Sequence, residues 1–199
     1  LFFAYGLGNS MTFPLSVGAT AVLTAERPTP ALVTALMRRE QATIYFGVPT
    51  LYAAILADNA TRPIAGLGRL RICVSAGEAL PEDVARRWEA QFSVPVLNGV
   101  GSTEMLHIFL SNRSDDVRYA TSGLPVPGYA AKLVDEKGSI VSQGEIGELV
   151  VKGQSSAEGY WHQRAKTRKT FPVLDGVRYA VPGDRALMEP DGRLSLLGR

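Results

Sequence analysis

An α/β fold, a parallel sheet with crossover helices followed by a small antiparallel β-barrel subdomain, is what this sequence predicts on three observations. Over residues 1–112, short β-branched apolar runs alternate with runs of helical spacing. That alternation is the pattern of strand–helix–strand units, whose successive strands lie parallel. Over residues 113–199, glycine and proline punctuate short alternating apolar runs, the texture of antiparallel strands and tight turns. Finally, no apolar run approaches the roughly 18–20 residues that a membrane-spanning helix needs.

The elements follow in order. Thr20, Ala21, Val22 and Leu23 form a short strand candidate. Thr29-Pro30 is a helix start, with threonine as N-cap and proline at the first helical position. Leu32, Val33, Leu36 and Met37 then recur at helical spacing. Residues 43–46 read as a strand, and Thr50 opens a second helix through Leu51, Ala54 and Ile55. A strand over 70–74 precedes Pro81-Glu82-Asp83, whose acidic residues suit a helix N-terminus. Another strand covers 94–97. In the second half, strands are predicted over 132–134, 148–152, 177–181, 185–188 and 193–197. The last two are joined around Pro190-Asp191-Gly192, a hairpin signal.

Composition narrows the function classes. The 199 residues are 46% hydrophobic, enough for one large core or two modest ones. A net charge of +2, mixed along the chain, requires neither a nucleic-acid nor a membrane partner. One cysteine, Cys73, excludes an internal disulfide framework and fits a cytoplasmic, reducing location. Cys73 lies mid-strand between Ile72 and Val74 and reads as a buried small hydrophobe. The chain opens on an apolar run without a methionine and stops just behind a strand-like run, so both ends read as cuts.

Two glycine-rich turns carry the chemistry. Ser75-Ala76-Gly77-Glu78-Ala79-Leu80-Pro81 follows one strand and opens a helix, and Asn98-Gly99-Val100-Gly101-Ser102-Thr103-Glu104 follows the next. Ligands of parallel sheets bind at the carboxyl ends of the strands. Glycines there let backbone N–H groups approach a base or a phosphate closely. Ser102 and Thr103 offer hydroxyl donors, and Glu104 offers a hard oxygen ligand suited to magnesium shared with phosphates. Asp184, behind Gly183, is a carboxylate able to accept from a ribose diol. These residues point to a nucleotide site with a metal. His107 reads as a pocket wall rather than a general base, and His162 as a surface residue. Arg164, Lys166, Arg168 and Lys169 read as a solvated basic face, without the interleaved aromatics of a nucleic-acid surface.

Taken together, Gly77-Glu78-Ala79, Gly101-Ser102-Thr103-Glu104, Gly183-Asp184 and Gly198-Arg199 follow the order and spacing of the AMP-binding, acyl-adenylate-forming superfamily. The sequence resembles that family over its whole length. The upstream half is similar to benzoate–CoA ligases. The runs that carry this are Phe2-Phe3-Ala4-Tyr5-Gly6-Leu7-Gly8-Asn9, Gly47-Val48-Pro49-Thr50, Val74-Ser75-Ala76-Gly77-Glu78-Ala79-Leu80-Pro81 and Gly101-Ser102-Thr103-Glu104-Met105-Leu106-His107-Ile108-Phe109.

The resemblance implies an acid–CoA ligase that uses ATP, magnesium and coenzyme A. It implies that the chain is part of the large N-terminal domain of such an enzyme. Ser75, Ala76, Gly77, Glu78 and Ala79, with Asn98, Gly99 and Val100, would form the adenine slot, beside Gly101 and Ser102. Thr103 would bind the α-phosphate, Glu104 would hold magnesium, and Asp184 and Arg199 would hold the ribose. Ala4, Tyr5, Val100 and His107 would line the acid pocket. The sequence departs from the family at Val100, where many members carry an aromatic residue, and at Pro182, where a threonine is usual. Residues 179–185 look more like broader acyl–CoA synthetases. A medium-chain or alicyclic acyl–CoA synthetase is therefore one alternative, and a non-catalytic nucleotide-binding fragment is another. The family's phosphate loop and C-terminal domain fall outside these 199 residues, which predicts that they are inactive alone. The oligomeric state is left open, a homodimer being compatible with the resemblance.

Overall fold

The computed structural model describes residues 3–58 and 67–198. The chain enters through α1 (Ala4–Leu7), a π-helical turn (Gly8–Thr12) and α2 (Phe13–Val17). Sequence pattern gives no sign of this helical segment, because Gly6, Gly8 and Pro14 break its periodicity. Pro14 is tolerated because it falls in the first turn of α2, where its missing N–H costs least. Gly18 closes α2 in the left-handed conformation at φ 66°. The strand expected over residues 20–23 does not form. Val22 and Leu23 stay exposed there, and a β-branched run becomes a strand only against a partner.

α3 (Pro30–Arg39) begins as its sequence predicts, with Leu32 N–H donating to Thr29 Oγ1 at 3.3 Å. There follow β1 (Ile44–Gly47), α4 (Pro49–Ala57), β2 (Ile72–Ser75), α5 (Glu82–Phe92) and β3 (Val96–Gly101). α4 starts one residue before Thr50, behind Val48. β1, β2 and β3 are parallel, with Gly47 opposite Ser75 and Ser75 opposite Asn98. The sheet is nevertheless mixed rather than purely parallel. β4 (Ile108–Ser111) and β5 (Leu124–Pro125) add antiparallel strands, giving the order β1-β2-β3-β4-β5. Only residues 102–107 separate β3 from β4. A parallel return needs a crossover of about a dozen residues, so so short a connection permits only the antiparallel one. Helices α3, α4 and α5 and the sheet enclose one apolar core around Trp88. Its ring lies 4.6 Å from Tyr52 and 4.1 Å from Phe92. Cys73 is fully buried in this core, and burial pushes its thiol up to about 12. It is an inert packing residue.

The second half contains β6 (Ala130–Val134), β7 (Ile146–Lys152), α6 (Arg164–Thr170), β8 (Val173–Leu174), β9 (Val177–Arg178), β10 (Arg185–Met188) and β11 (Leu194–Gly198). The strand predicted over 177–181 shortens to β9, and Ala180 makes a single bridge to Val151. Among the described residues the expected barrel is an open antiparallel sheet, ordered β11-β10-β7-β6, beside the β8-β9 hairpin. Four strands are too few to close on themselves. The β11 edge is instead covered by the segment that leads into β5. Ser122 N–H donates to Leu194 O at 2.7 Å, and Leu194 N–H donates to Gly123 O at 3.0 Å. Gly123 is required there, since a Cβ would stand 2.1 Å from Ser111 O. A second core joins the two sheets, with Met105, Phe109 and Leu110 packed among Leu133, Leu149, Phe171 and Leu194. Among the described residues no helix is long and apolar enough to cross a membrane.

Candidate active site

The parallel register aligns Gly47, Ser75 and Asn98 where β1 and β2 end, and β3 runs on three residues further to Gly101. Tyr5, brought in by α1, spans two of them. Its hydroxyl lies 3.2 Å from both Gly47 O and Val74 O, to either of which it donates. Burial raises its ionisation well above the ordinary phenol range, so it acts only as a neutral donor. Ala4 precedes it, half-buried. The Tyr5 ring meets Phe46 edge-on at 6.2 Å and lies against the His107 ring at 5.5 Å.

His107 is buried, and its Nε2 lies 3.3 Å from Tyr5 O. A carbonyl only accepts, so Nε2 carries the proton. Burial lowers the imidazole's pKa, against a smaller raising effect of the Tyr5 carbonyl, and the ring is neutral near pH 7. Phe13 closes its other side edge-on at 4.6 Å. A Cβ on Gly8 would stand 2.4 Å from His107 Cδ2, so the π-helical turn passes where only glycine fits. Tyr5, Phe13, Phe46 and His107 thus form a wall of flat rings beside the strand ends. Phe13 and Gly8 escape sequence reasoning because they reach the site only through the unforeseen helical entry.

The glycine-rich turns are placed differently from each other. Ser75 ends β2 fully buried, and its Oγ has no partner. Ala76 is buried, whereas Gly77, Glu78 and Ala79 are exposed in the loop before α5. Gly77 adopts φ 91°. Asn98, Gly99, Val100 and Gly101 do not follow β3 but are its last four residues. Val100 is half-buried and packs on the second core. A bulge falls between Val100 and Gly101 in the pairing with β4. A Cβ on Gly101 would lie 2.4 Å from His107 O, a backbone atom that cannot step aside.

Behind Ser102, Thr103–Met105 form a 3-10 turn with Thr103 exposed and Glu104 half-buried. Leu106 then adopts φ 69°, ψ −46°, and His107 N–H donates to Met105 O at 2.8 Å. That is the strained, positive-φ form of the γ-turn. It reverses the chain between Glu104 and His107. Glu104 Oε1 accepts a short hydrogen bond from the Tyr160 hydroxyl. Partial burial pushes the carboxyl up. The Tyr160 hydrogen bond and the local backbone, with the charge of Lys166, outweigh it and hold the pKa below its ordinary value. Tyr160 is a residue that sequence reading passes over, an aromatic in an aperiodic Gly/Ser loop. Lys166, on the exposed basic face of α6, lies 4.0 Å over its ring. His162 is exposed, as its polar surroundings predict.

Among the described residues no group of three or more His, Cys, Asp or Glu side chains could cage a metal. A lone ionised Glu104 beside an exposed Thr103 fits a cation held mainly by phosphate oxygens, not a resident ion. Asp184 comes from the second sheet, half-buried just before β10, with its carbonyl accepting from Leu149 N–H at 2.8 Å. Arg185 pairs with Gly198, so the end of β11 lies beside it. Arg199 lies outside the described residues.

The family model for AMP-binding enzymes matches residues 1–161. The chain belongs to the AMP-binding enzyme family. This AMP-binding chain is 57% identical over 200 residues to the benzoate–CoA ligase of Thauera aromatica, covering 100% of itself and 37% of that protein. Its fold matches the crystal structure of a benzoate–CoA ligase from Burkholderia xenovorans LB400 at a TM-score of 0.94 and 50% identity, over 100% of this chain and 40% of that one. It matches the anthranilate–CoA ligase AuaEII, solved with anthranoyl-AMP, at 0.93 and 39% identity, over 100% and 38%. The chain therefore spans a little over a third of the length of these ligases.

Proposed function

We propose that this chain is the acid- and nucleotide-binding portion of an AMP-forming ligase that converts a benzoate-type acid to its CoA thioester. One observation carries the reading. A wall of flat rings (Tyr5, Phe13, His107) stands beside the strand ends that lead to Glu104, in a chain 57% identical throughout to a benzoate–CoA ligase.

In the first step a carboxylate oxygen of the acid attacks the α-phosphorus of ATP. The new C(O)–O–P bond forms as the bond to the β-phosphate oxygen breaks, and pyrophosphate leaves. In the second, the CoA sulfur attacks the acyl carbon, AMP leaves, and the thiol proton passes to solvent. The acid is already ionised near pH 7, so the first step needs no base. This agrees with His107 spending its Nε2 proton on Tyr5 O. Ala4, Tyr5, Val100 and His107 bound the acid. Ser75 to Ala79 and Asn98 to Val100 flank the adenine, with Gly77, Glu78 and Ala79 the exposed part of that slot. Thr103 faces the α-phosphate, and Asp184 with Arg199 takes the ribose hydroxyls. Magnesium, when bound through Glu104 and the phosphates, offsets the repulsion between the two anions that must meet.

The test is acid-dependent ATP–pyrophosphate exchange by a full-length chain carrying these residues. Benzoate and anthranilate should support exchange and octanoate should not. Preference for octanoate would replace the aromatic pocket with an aliphatic one, and exchange with no acid would remove the function.

A further inference from the structure

The loop at residues 153–163 belongs to the second half of the chain, yet it is built around the Glu104 turn. Ser155 Oγ donates to Met105 O at 2.8 Å, and Ala157 N–H donates to Glu104 O at 2.8 Å. The Tyr160 hydroxyl donates to the Glu104 carboxylate itself. The loop is in turn braced from behind. Arg178 donates to Ala157 O at 2.9 Å and to Glu158 O at 2.8 Å, and its guanidinium lies 4.5 Å over the Phe171 ring. The Tyr160 backbone N–H donates to Thr167 Oγ1 at 2.9 Å, which ties the loop at this residue to α6.

From this arrangement we infer that Tyr160 is a positioning residue, its hydroxyl holding the Glu104 carboxylate in the orientation needed by a phosphate-bound divalent cation. The inference rests on the ligase reading given above. The donor's chemistry decides the case. A phenol O–H is neutral, so it fixes one carboxylate oxygen without neutralising the group. A lysine or arginine in its place would compete with the cation for the same charge. Lys166, whose charge acts on Glu104, sits on the face of the Tyr160 ring. Donors that orient a metal-binding side chain in this way typically govern affinity by about 10–100-fold. The braces through Arg178 and Thr167 explain how a loop, an element class that is ordinarily mobile, can hold such an orientation.

The experiment compares Tyr160→Phe, Ser155→Ala and Glu104→Gln with the parent, all in a full-length chain carrying these residues. Bound Mn2+ is measured by electron paramagnetic resonance in the presence of a non-hydrolysable ATP analogue. Mg2+ dependence is measured by benzoate-driven pyrophosphate exchange. Tyr160→Phe removes one oxygen and keeps the ring, so circular dichroism melts should match the parent. It should weaken Mn2+ binding and raise the half-saturating Mg2+ about tenfold. CoA thioester formation from preformed benzoyl adenylate, which uses no ATP, should be unchanged. Ser155→Ala should move both metal readouts in the same direction by less, and Glu104→Gln by more. Unchanged Mn2+ affinity in both Tyr160→Phe and Ser155→Ala overturns the inference. A parent that binds Mn2+ with the nucleotide but exchanges no pyrophosphate would sink the ligase reading. The Tyr160 result would still stand on the Mn2+ measurement.

Discussion

Gly8→Ala is the sharpest probe of the aromatic wall. The added methyl would stand 2.4 Å from His107 Cδ2, 2.9 Å from Nε2 and 3.1 Å from Phe13 Cε2. The imidazole has nowhere to retreat, because Phe13 closes it at 4.6 Å and Tyr5 lies against it at 5.5 Å. Any escape also stretches the 3.3 Å contact to Tyr5 O. Overpacking of this kind costs about 1–3 kcal/mol, and loss of the hydrogen bond about 1 kcal/mol more. Against this, alanine is favoured over glycine inside a helical segment by about 1 kcal/mol. The clash wins, and the expected net loss is about 1–3 kcal/mol. In a chain of this size that lowers the melting temperature by roughly 2–4 °C per kcal/mol. Urea and thermal melts of the parent, Gly8→Ala, His107→Ala and the double variant form a closed cycle. With the imidazole gone, the alanine at position 8 should be neutral or stabilising. If the penalty of Gly8→Ala persists undiminished in the His107→Ala background, the clash is not its cause and the reasoning fails.

The other expectations follow from the same site. Leu106→Gly should raise the melting temperature, because relief of a strained positive-φ leucine is worth about 1–3 kcal/mol against about 0.5–1 kcal/mol for glycine's freedom when unfolded. A lower melting temperature would mean that the turn is unstrained. Burial holds His107 below its ordinary value of 6.5, so as pH falls through that value the unfolded chain takes up a proton that the folded chain resists. Stability is therefore fully present above about pH 6.5 and declines below it. Melts of His107→Gln between pH 5 and 8 should lose that slope, and an identical slope would exonerate His107. Residues 1–199 alone should release no pyrophosphate above background with ATP and benzoate, since charge-stabilising groups are worth about a hundredfold or more in rate. A measurable burst would show that these residues suffice.

What was legible in the sequence divides along a physical line. Elements set by local rules were readable. The Thr29-Pro30 cap, the strands β1 and β2 to within two residues, and the Pro190-Asp191-Gly192 hairpin form where their residues specify, whereas β3 starts two residues late and runs on through the glycine-rich segment. Elements set by tertiary partners were not. Thr20 to Leu23 has strand-like residues and no strand beside it. Residues 4–17 have helix-breaking residues and form helix, because the Tyr5 hydroxyl is anchored on β1 and β2 and the Gly8 turn fits against His107. Likewise the glycine-rich motifs were readable as turns near the strand ends, since glycine spacing is a local signal. Tyr160, 56 residues from Glu104, reached that site only through the packing of the second half.

That packing also explains why the site lies where it does. The turn bearing Glu104 is gripped from both sides. On one, Gly101 allows the His107 carbonyl an approach that no side chain would permit, which presses the ring wall against the strand ends. On the other, Met105 is buried in the core shared by both sheets, and Ser155, Ala157 and Tyr160 hold the turn from the second half. Between them Leu106 carries the reversal as backbone strain. A relaxed loop would let the ring wall and the Glu104 carboxylate drift independently. The strained turn makes their separation a property of the fold, which is the fixed spacing that the proposed ligase function would require between an acid on the rings and the phosphates.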